Sequence, residues 1–130
     1  MLDASKWHIL LVDDEFDSAK LITTILKYYG VEVDLVNNGV ECLEALKTLG
    51  PILILLDLSL PEMDGWETLK HIRSNSKSAH IPVVALTAYH SASVAEDALR
   101  AGFNAYFSKP ISTKTIIKKL AELIEAHESQ

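Results

Sequence analysis

Five short apolar runs alternate with five stretches whose apolar residues recur every three or four positions. The first run is His8–Val12. Phe16, Ala19, Ile22, Leu26 and Tyr29 then follow at the spacing of one helix face, and Gly30 offers a stop. Val31–Val36 alternates apolar and polar residues, as a half-buried edge strand does. Gly39–Leu49 returns to helical spacing, with Val40, Leu43, Leu46 and Leu49 in phase. Ile52–Leu56 is continuously apolar, which suits a strand covered on both faces. Trp66, Leu69 and Ile72 mark a third helix, and "IPVVALT" from Ile81 a fourth strand, with Pro82 at its start where a missing N–H is tolerated. Ser91–Ala101 predicts a fourth helix ended by Gly102. Asn104–Phe107 predicts a fifth strand and Ser112–Ala126 a last helix, with Ile116, Ile117, Leu120, Leu123 and Ile124 inward.

This alternation dictates an α/β chain with a parallel sheet and helices on both faces. Crossovers between parallel strands are right-handed. Strands one, three and four read as interior and strand two as an edge, which the order 2-1-3-4-5 satisfies. That order is the flavodoxin-like, three-layer arrangement with five strands and five helices. The 130 residues fit one domain, 1–130, with a core from about 6 to 125. Apolar residues at 48% and charged residues at 23% supply one core and a soluble surface. No apolar run approaches the ~20 residues of a membrane helix. The N-terminus lacks the features of a signal peptide, and Cys42 is the only cysteine. A cytoplasmic protein without disulfides or membrane insertion is expected. The net charge of −6 argues against direct, non-specific binding of nucleic acid.

In such a fold, sites form outside the carboxyl ends of the strands, at the point between strands one and three where the order reverses. Strand one runs into Asp13 and Asp14, strand three into Asp57, strand four into Thr87, and strand five into Lys109. Three acids, a hydroxyl and an ammonium thus meet on one rim. Clustered carboxylates raise one another's pKa unless a cation joins them. Mg²⁺ (or Mn²⁺), a hard ion that takes carboxylates, waters and phosphate oxygens, suits the set. Asp57 beside it could act as a nucleophile toward phosphorus. Plainer roles compete at several positions. Asp14 could cap the first helix and Asp64 the third. Tyr106 could be a packing tyrosine, and Lys114, Lys118 and Lys119 a solvated helix face. Cys42 reads as an unreactive small residue. The five histidines, His8, His71, His80, His90 and His127, show no ligand spacing and read as surface or edge residues.

"LLVDDE", "LLDLSLPEMDGWE", "VVALTA" and "FSKPIS" resemble, in order and spacing, the receiver domain of two-component response regulators (the CheY-like family), from about Lys6 to Ile124. The resemblance implies that Asp57 is the phosphoacceptor, charged from a phosphohistidine on a sensor histidine kinase or histidine phosphotransfer protein. It implies that Asp14 binds the metal directly, Asp13 through water, and Ser59 by its backbone carbonyl. Thr87 and Lys109 would sense the phosphate, Tyr106 would swing inward as Thr87 moves, and the Lys109–Pro110 bond would be cis. Ser59 and Tyr89 stand where other residues are common in this family. Tyr89 is expected to shield the path of the hydrolytic water and so to set the phosphoryl lifetime.

The resemblance makes the protein a phosphorelay signalling element and not an enzyme acting on an external substrate. Its output would pass to a partner protein through the face of helix four, strand five and helix five. Helix four has few inward candidates, Val94, Ala98 and Leu99, and should shift at little cost. A stand-alone receiver is the favoured reading, and a module of a larger hybrid kinase or regulator the alternative. A Mg²⁺-dependent phosphohydrolase with an aspartate nucleophile, a flavin or nucleotide carrier, and a receiver scaffold that is never phosphorylated are rivals. The acidic "DDEFDS" loop would repel a carried phosphate, and no lid-sized insertion is present.

Overall fold

The structure, a computed structural model, describes residues 3–88 and 91–128. The expectation for Tyr89 therefore lies outside the described residues, as does His90. The strands are β1 (His8–Val12), β2 (Glu32–Val36), β3 (Leu53–Asp57), β4 (Val83–Thr87) and β5 (Ala105–Ser108). The helices are α1 (Phe16–Tyr28), α2 (Gly39–Ala45), α3 (Gly65–Ser74), α4 (Ala92–Ala101) and α5 (Ile116–Glu128). All strand pairs are parallel, in the order β2-β1-β3-β4-β5. This is the fold expected from the apolar pattern.

β3 and β4 are buried at every position, which is why their sequences read as unbroken apolar runs. Alternate side chains feed two cores. Ile9, Leu11, Leu53, Leu55, Val84 and Leu86 pack with Ile22, Leu26, Leu120 and Ile124 of α1 and α5. Leu10, Val12, Ile54, Leu56, Val83 and Ala85 pack with Cys42, Leu69, Ile72 and Ala98 of α2, α3 and α4. The sheet is thus the shared wall of a three-layer sandwich.

Several helix faces differ from the simple periodic reading. Phe16 is 75% exposed and Tyr29 is also exposed, while Ile25 joins Ala19, Ile22 and Leu26 inside. Phe16 is the first residue of α1 and Tyr29 its C-cap, so both stand at the margins of the layer that covers the sheet. α2 buries Gly39 and Cys42 and exposes Val40. It ends at Ala45, not Leu49, because its last turn tightens into i→i+3 bonds from Lys47 and Thr48 to the carbonyls of Glu44 and Ala45. A Cβ on Gly39 would meet Thr68 Oγ1 at 2.3 Å, so the start of α2 can approach α3 only without a side chain. Among the described residues α4 buries Ala98 alone, half-buries Val94 and leaves Leu99 exposed. α5 starts at Ile116, four residues later than expected, after a turn that follows Pro110.

Arg73 ties the far ends of the helical layer together. Its guanidinium donates to the carbonyls of Ala79 (3.2 Å), Ile81 (2.6 Å) and Gly102 (2.9 Å) and to Asn104 Oδ1 (2.8 Å). Asn104 Oδ1 also accepts from the Val83 N–H at 2.8 Å. One side chain on α3 thereby holds the starts of β4 and β5 in register. Among the described residues no helix is long and apolar enough to cross a membrane.

Candidate functional site

The carboxyl ends of β1, β3, β4 and β5 deliver polar residues that the strands themselves bury. Asp13 is 1% exposed, Asp57 4% and Thr87 1%. Asp13 is fixed by its position one residue past β1, where its N–H donates to the Val36 carbonyl at 3.1 Å. Its carboxylate accepts from the Glu15 N–H at 3.0 Å and the Ser18 hydroxyl at 2.8 Å. Among the described residues no side chain caps α1: Asp13 braces the loop that leads into it, and Asp14, the candidate cap, stands exposed at the rim. Asp64 caps α3, its carboxylate accepting from the Glu67 N–H at 2.9 Å.

Asp57 closes β3. Its Oδ1 accepts from the Ser59 N–H at 2.9 Å, a local turn that orients the carboxyl. The loop then passes through Glu62 at φ +64°, with the Met63 N–H donating to the Pro61 carbonyl at 2.7 Å. That is a γ-turn with a positive central φ, a strained arrangement for a non-glycine residue. The chain returns at Gly65, whose N–H donates to the Leu58 carbonyl at 3.1 Å.

Lys109 reaches in from the far side of the sheet. Its backbone N–H donates to the Thr87 carbonyl at 2.8 Å, continuing the β4–β5 ladder, and the Lys109–Pro110 bond is cis. Its Nζ lies 3.0 Å from Asp57 Oδ2 and 3.0 Å from Asp13 Oδ2. Glu15 Oε1 stands 4.0 Å away. One ammonium therefore serves two buried carboxylates, which leaves the trio with one excess negative charge.

The proton affinities follow from that arithmetic. Burial raises the pKa of Asp57, and Asp13 adds to the rise, against the opposing pull of the Ser59 N–H and Lys109. Burial draws Lys109 down, but the hydrogen bonds and charges of Asp57 and Asp13 together outweigh it and hold the ammonium above its ordinary range. Asp57 thus rises chiefly because it is buried, and Lys109 because two carboxylates face it. A divalent cation would relieve the excess negative charge. Carboxylate oxygens of Asp13, Asp14 and Asp57 all lie within 4.8 Å of one another. An all-oxygen set of acids with one exposed member suits a hard cation that keeps waters.

Thr87 and Tyr106 lie on the same side of the sheet. Thr87 is two residues beyond Ala85, whose partner across the β4–β5 ladder is Tyr106. Tyr106 is half-buried against the α2–α3–α4 core, and the Ser108 hydroxyl donates to its Oη at 3.4 Å. Glu15 and Ser18 join the site without having been expected there. Both act through Asp13 and Lys109, a relation that no local spacing announces. The histidines show no ligand spacing and were expected as surface or edge residues, yet His8 stands against Asp34 and Glu32 on the neighbouring strand.

The chain matches the family model of the response regulator receiver domain over residues 9–121. An uncharacterised 14.6 kDa protein of Leptolyngbya boryana is 36% identical over 118 residues, 91% of this chain and 90% of that protein. The transcriptional regulatory protein ZraR of Klebsiella oxytoca is 37% identical over 116 residues, 89% of this chain but 26% of that longer protein. The receiver domain of sensor histidine kinase PA1611 from Pseudomonas aeruginosa, solved with a magnesium ion in its active-site cleft, superposes with a TM-score of 0.84 at 30% identity, covering 92% of this chain and 98% of that one. With the five-stranded order, the acidic rim and the lysine facing it already in place, these likenesses show that the chain belongs to the response regulator receiver domain family of two-component signalling.

Proposed function

We propose that Asp57 accepts a phosphoryl group from a phosphohistidine donor, and that the resulting aspartyl-phosphate switches the α4–β5–α5 face for a partner protein. The observation that carries this reading is the largely buried Lys109 ammonium, 3.0 Å from both Asp57 and Asp13. A carboxylate oxygen of Asp57 attacks phosphorus as the N–P bond breaks, and the donor imidazole leaves with that electron pair. Lys109, freed from part of its pairing with Asp57, faces the charge on the transferred group. Asp13, Asp14, Asp57 and the Ser59 carbonyl are the proposed holders of Mg²⁺ or Mn²⁺. Such an ion supplies charge neutralisation for the phosphoryl oxygens.

The Thr87 hydroxyl is the proposed second phosphate contact, and its movement would let Tyr106 turn inward on the same side of the sheet. α4 fits a mobile role, since Ala98 is its one buried residue among those described. The phosphate must favour the active arrangement by roughly 5.5 kcal/mol to carry the switch from mostly off to mostly on. The phosphoryl donor would be a sensor histidine kinase or a histidine phosphotransfer protein, and the receiver would catalyse only its own phosphorylation and dephosphorylation. A cytoplasmic location follows from that partnership.

Incubation with acetyl phosphate and Mg²⁺, read by intact mass, tests the proposal. One added phosphoryl group, absent without Mg²⁺ and absent in Asp57→Ala, is expected. Equal modification of the variant would overturn it.

A further inference from the structure

The opposite end of the sheet carries a second constellation of metal-ligating side chains. His8 opens β1, and its partner across the parallel ladder is Glu32 of the edge strand β2. Asp34 lies two residues further along β2, so its side chain emerges on the same side as that of Glu32. The pairing brings all three together. His8 Nε2 is 2.5 Å from Asp34 Oδ2 and 3.9 Å from Glu32 Oε2. One ligand atom from each residue lies within 4.8 Å of the other two. Five residues of strand, about 16 Å, separate His8 from the rim of Asp13 and Asp57.

We propose that His8, Glu32 and Asp34 form a binding site for a divalent transition-metal cation, with zinc the best-suited probe. One imidazole and two carboxylates form a mixed nitrogen and oxygen set, which suits zinc better than the all-oxygen preference of magnesium or calcium. Zinc holds such ligands at about 2.1 Å, so tetrahedral ligand atoms stand ~3.4 Å apart. The observed separations bracket that value, and small side-chain rotations would reach it. Charge points the same way. A neutral imidazole with two carboxylates carries two negative charges, and protonation of the single Nε2 shared by both acids removes only one. A dication balances the set. Two of the ligands sit on an edge strand and the third on its interior neighbour, so the ion would clasp β2 to the body of the sheet. Water would fill the fourth position on the solvent side, where Glu32 is exposed.

Isothermal titration of the intact chain with zinc chloride tests this, with saturating Mg²⁺ present to occupy the acidic rim. Wild type should bind one zinc ion in a step sensitive to both faces of the cluster. His8→Ala and Asp34→Asn should each lose at least about tenfold in affinity, the loss typical of even an outer-sphere partner. His80→Ala and His127→Ala, which alter a stacked histidine pair elsewhere on the chain, should leave binding unchanged. His8→Gln serves as a second variant if His8→Ala melts early, and zinc should raise the melting temperature of wild type but not of either His8 variant. Absence of zinc binding by wild type, equal binding by the His8 variants, or loss of binding in His127→Ala would each overturn the proposal.

Discussion

Gly65 lies against the backbone of Asp57 so closely that a Cβ there would stand 2.4 Å from the Asp57 carbonyl oxygen and 2.8 Å from Leu58 Cα. The first residue of α3 and the Asp57 end of β3 touch main chain to main chain. The glycine after Asp64 is therefore more than a helix-start residue. It lets the loop that carries Asp57 close down on itself.

Gly65→Ala should cost about 1 to 3 kcal/mol of stability, the usual range for forced overpacking. Because the obstacle is backbone and not a flexible side chain, the loop itself must shift. Urea midpoints will show the loss. Phosphorylation by acetyl phosphate should slow in the same variant, and wild-type values in both measurements would refute the close-packing argument.

Asp57→Asn should unfold at a higher urea concentration than wild type at pH 7. Burial holds the Asp57 carboxyl above its usual range, so the folded chain keeps that proton more tightly than the unfolded chain does. This group's stabilising contribution is complete below the ordinary aspartate value of about 3.9 and is lost as pH rises through the raised value. At neutral pH the buried charge opposes folding, and removing it relieves the cost. The two midpoints should converge below about pH 3. Millimolar Mg²⁺ should raise the wild-type midpoint more than that of the variant.

Arg73→Met should destabilise by about 2 to 4 kcal/mol, since it strips three carbonyls and Asn104 of a charged donor. The site's carboxylates are at the opposite end of the strands, so acetyl phosphate labelling of the folded fraction should persist. Arg73→Lys should recover only part of the loss, because one ammonium cannot span donors that fork toward four acceptors. A chemical-denaturation series on the three proteins measures this ordering.

Cys42 should resist thiol reagents in the native state and react at once in denaturant. It is fully buried, and burial pushes its thiol up to about 12. Labelling with a disulfide reagent at pH 8 will then report opening of the α2 side of the core. Rapid native labelling would contradict the burial of this face.

The layered fold was legible because its evidence is periodic and local. The full apolar runs of β3 and β4 demand cover on both faces, and Gly30 and Gly102 end α1 and α4 with the positive φ that suits glycine. Helix faces were less legible. Phe16 fits the spacing of α1 yet stands in solvent, because spacing shows which residues share a stripe but not how far the neighbouring layer extends. Val40 and Cys42 show the same limit on α2: the approach of Gly39 to Thr68 rotates the helix toward its small residues.

The amino-acid sequence alone determined the five βα units, their order, and the set of side chains waiting at the strand ends, since each follows from contiguous patterns of polarity and from motif spacing. Tertiary structure decided which of those side chains share charge. Asp13, Asp57 and Lys109 are far apart in the chain, as are His8 and Asp34. Only parallel register and the close return of loops bring them within a few ångströms, and at such range the pairing of charge depends on distance and burial rather than on residue type.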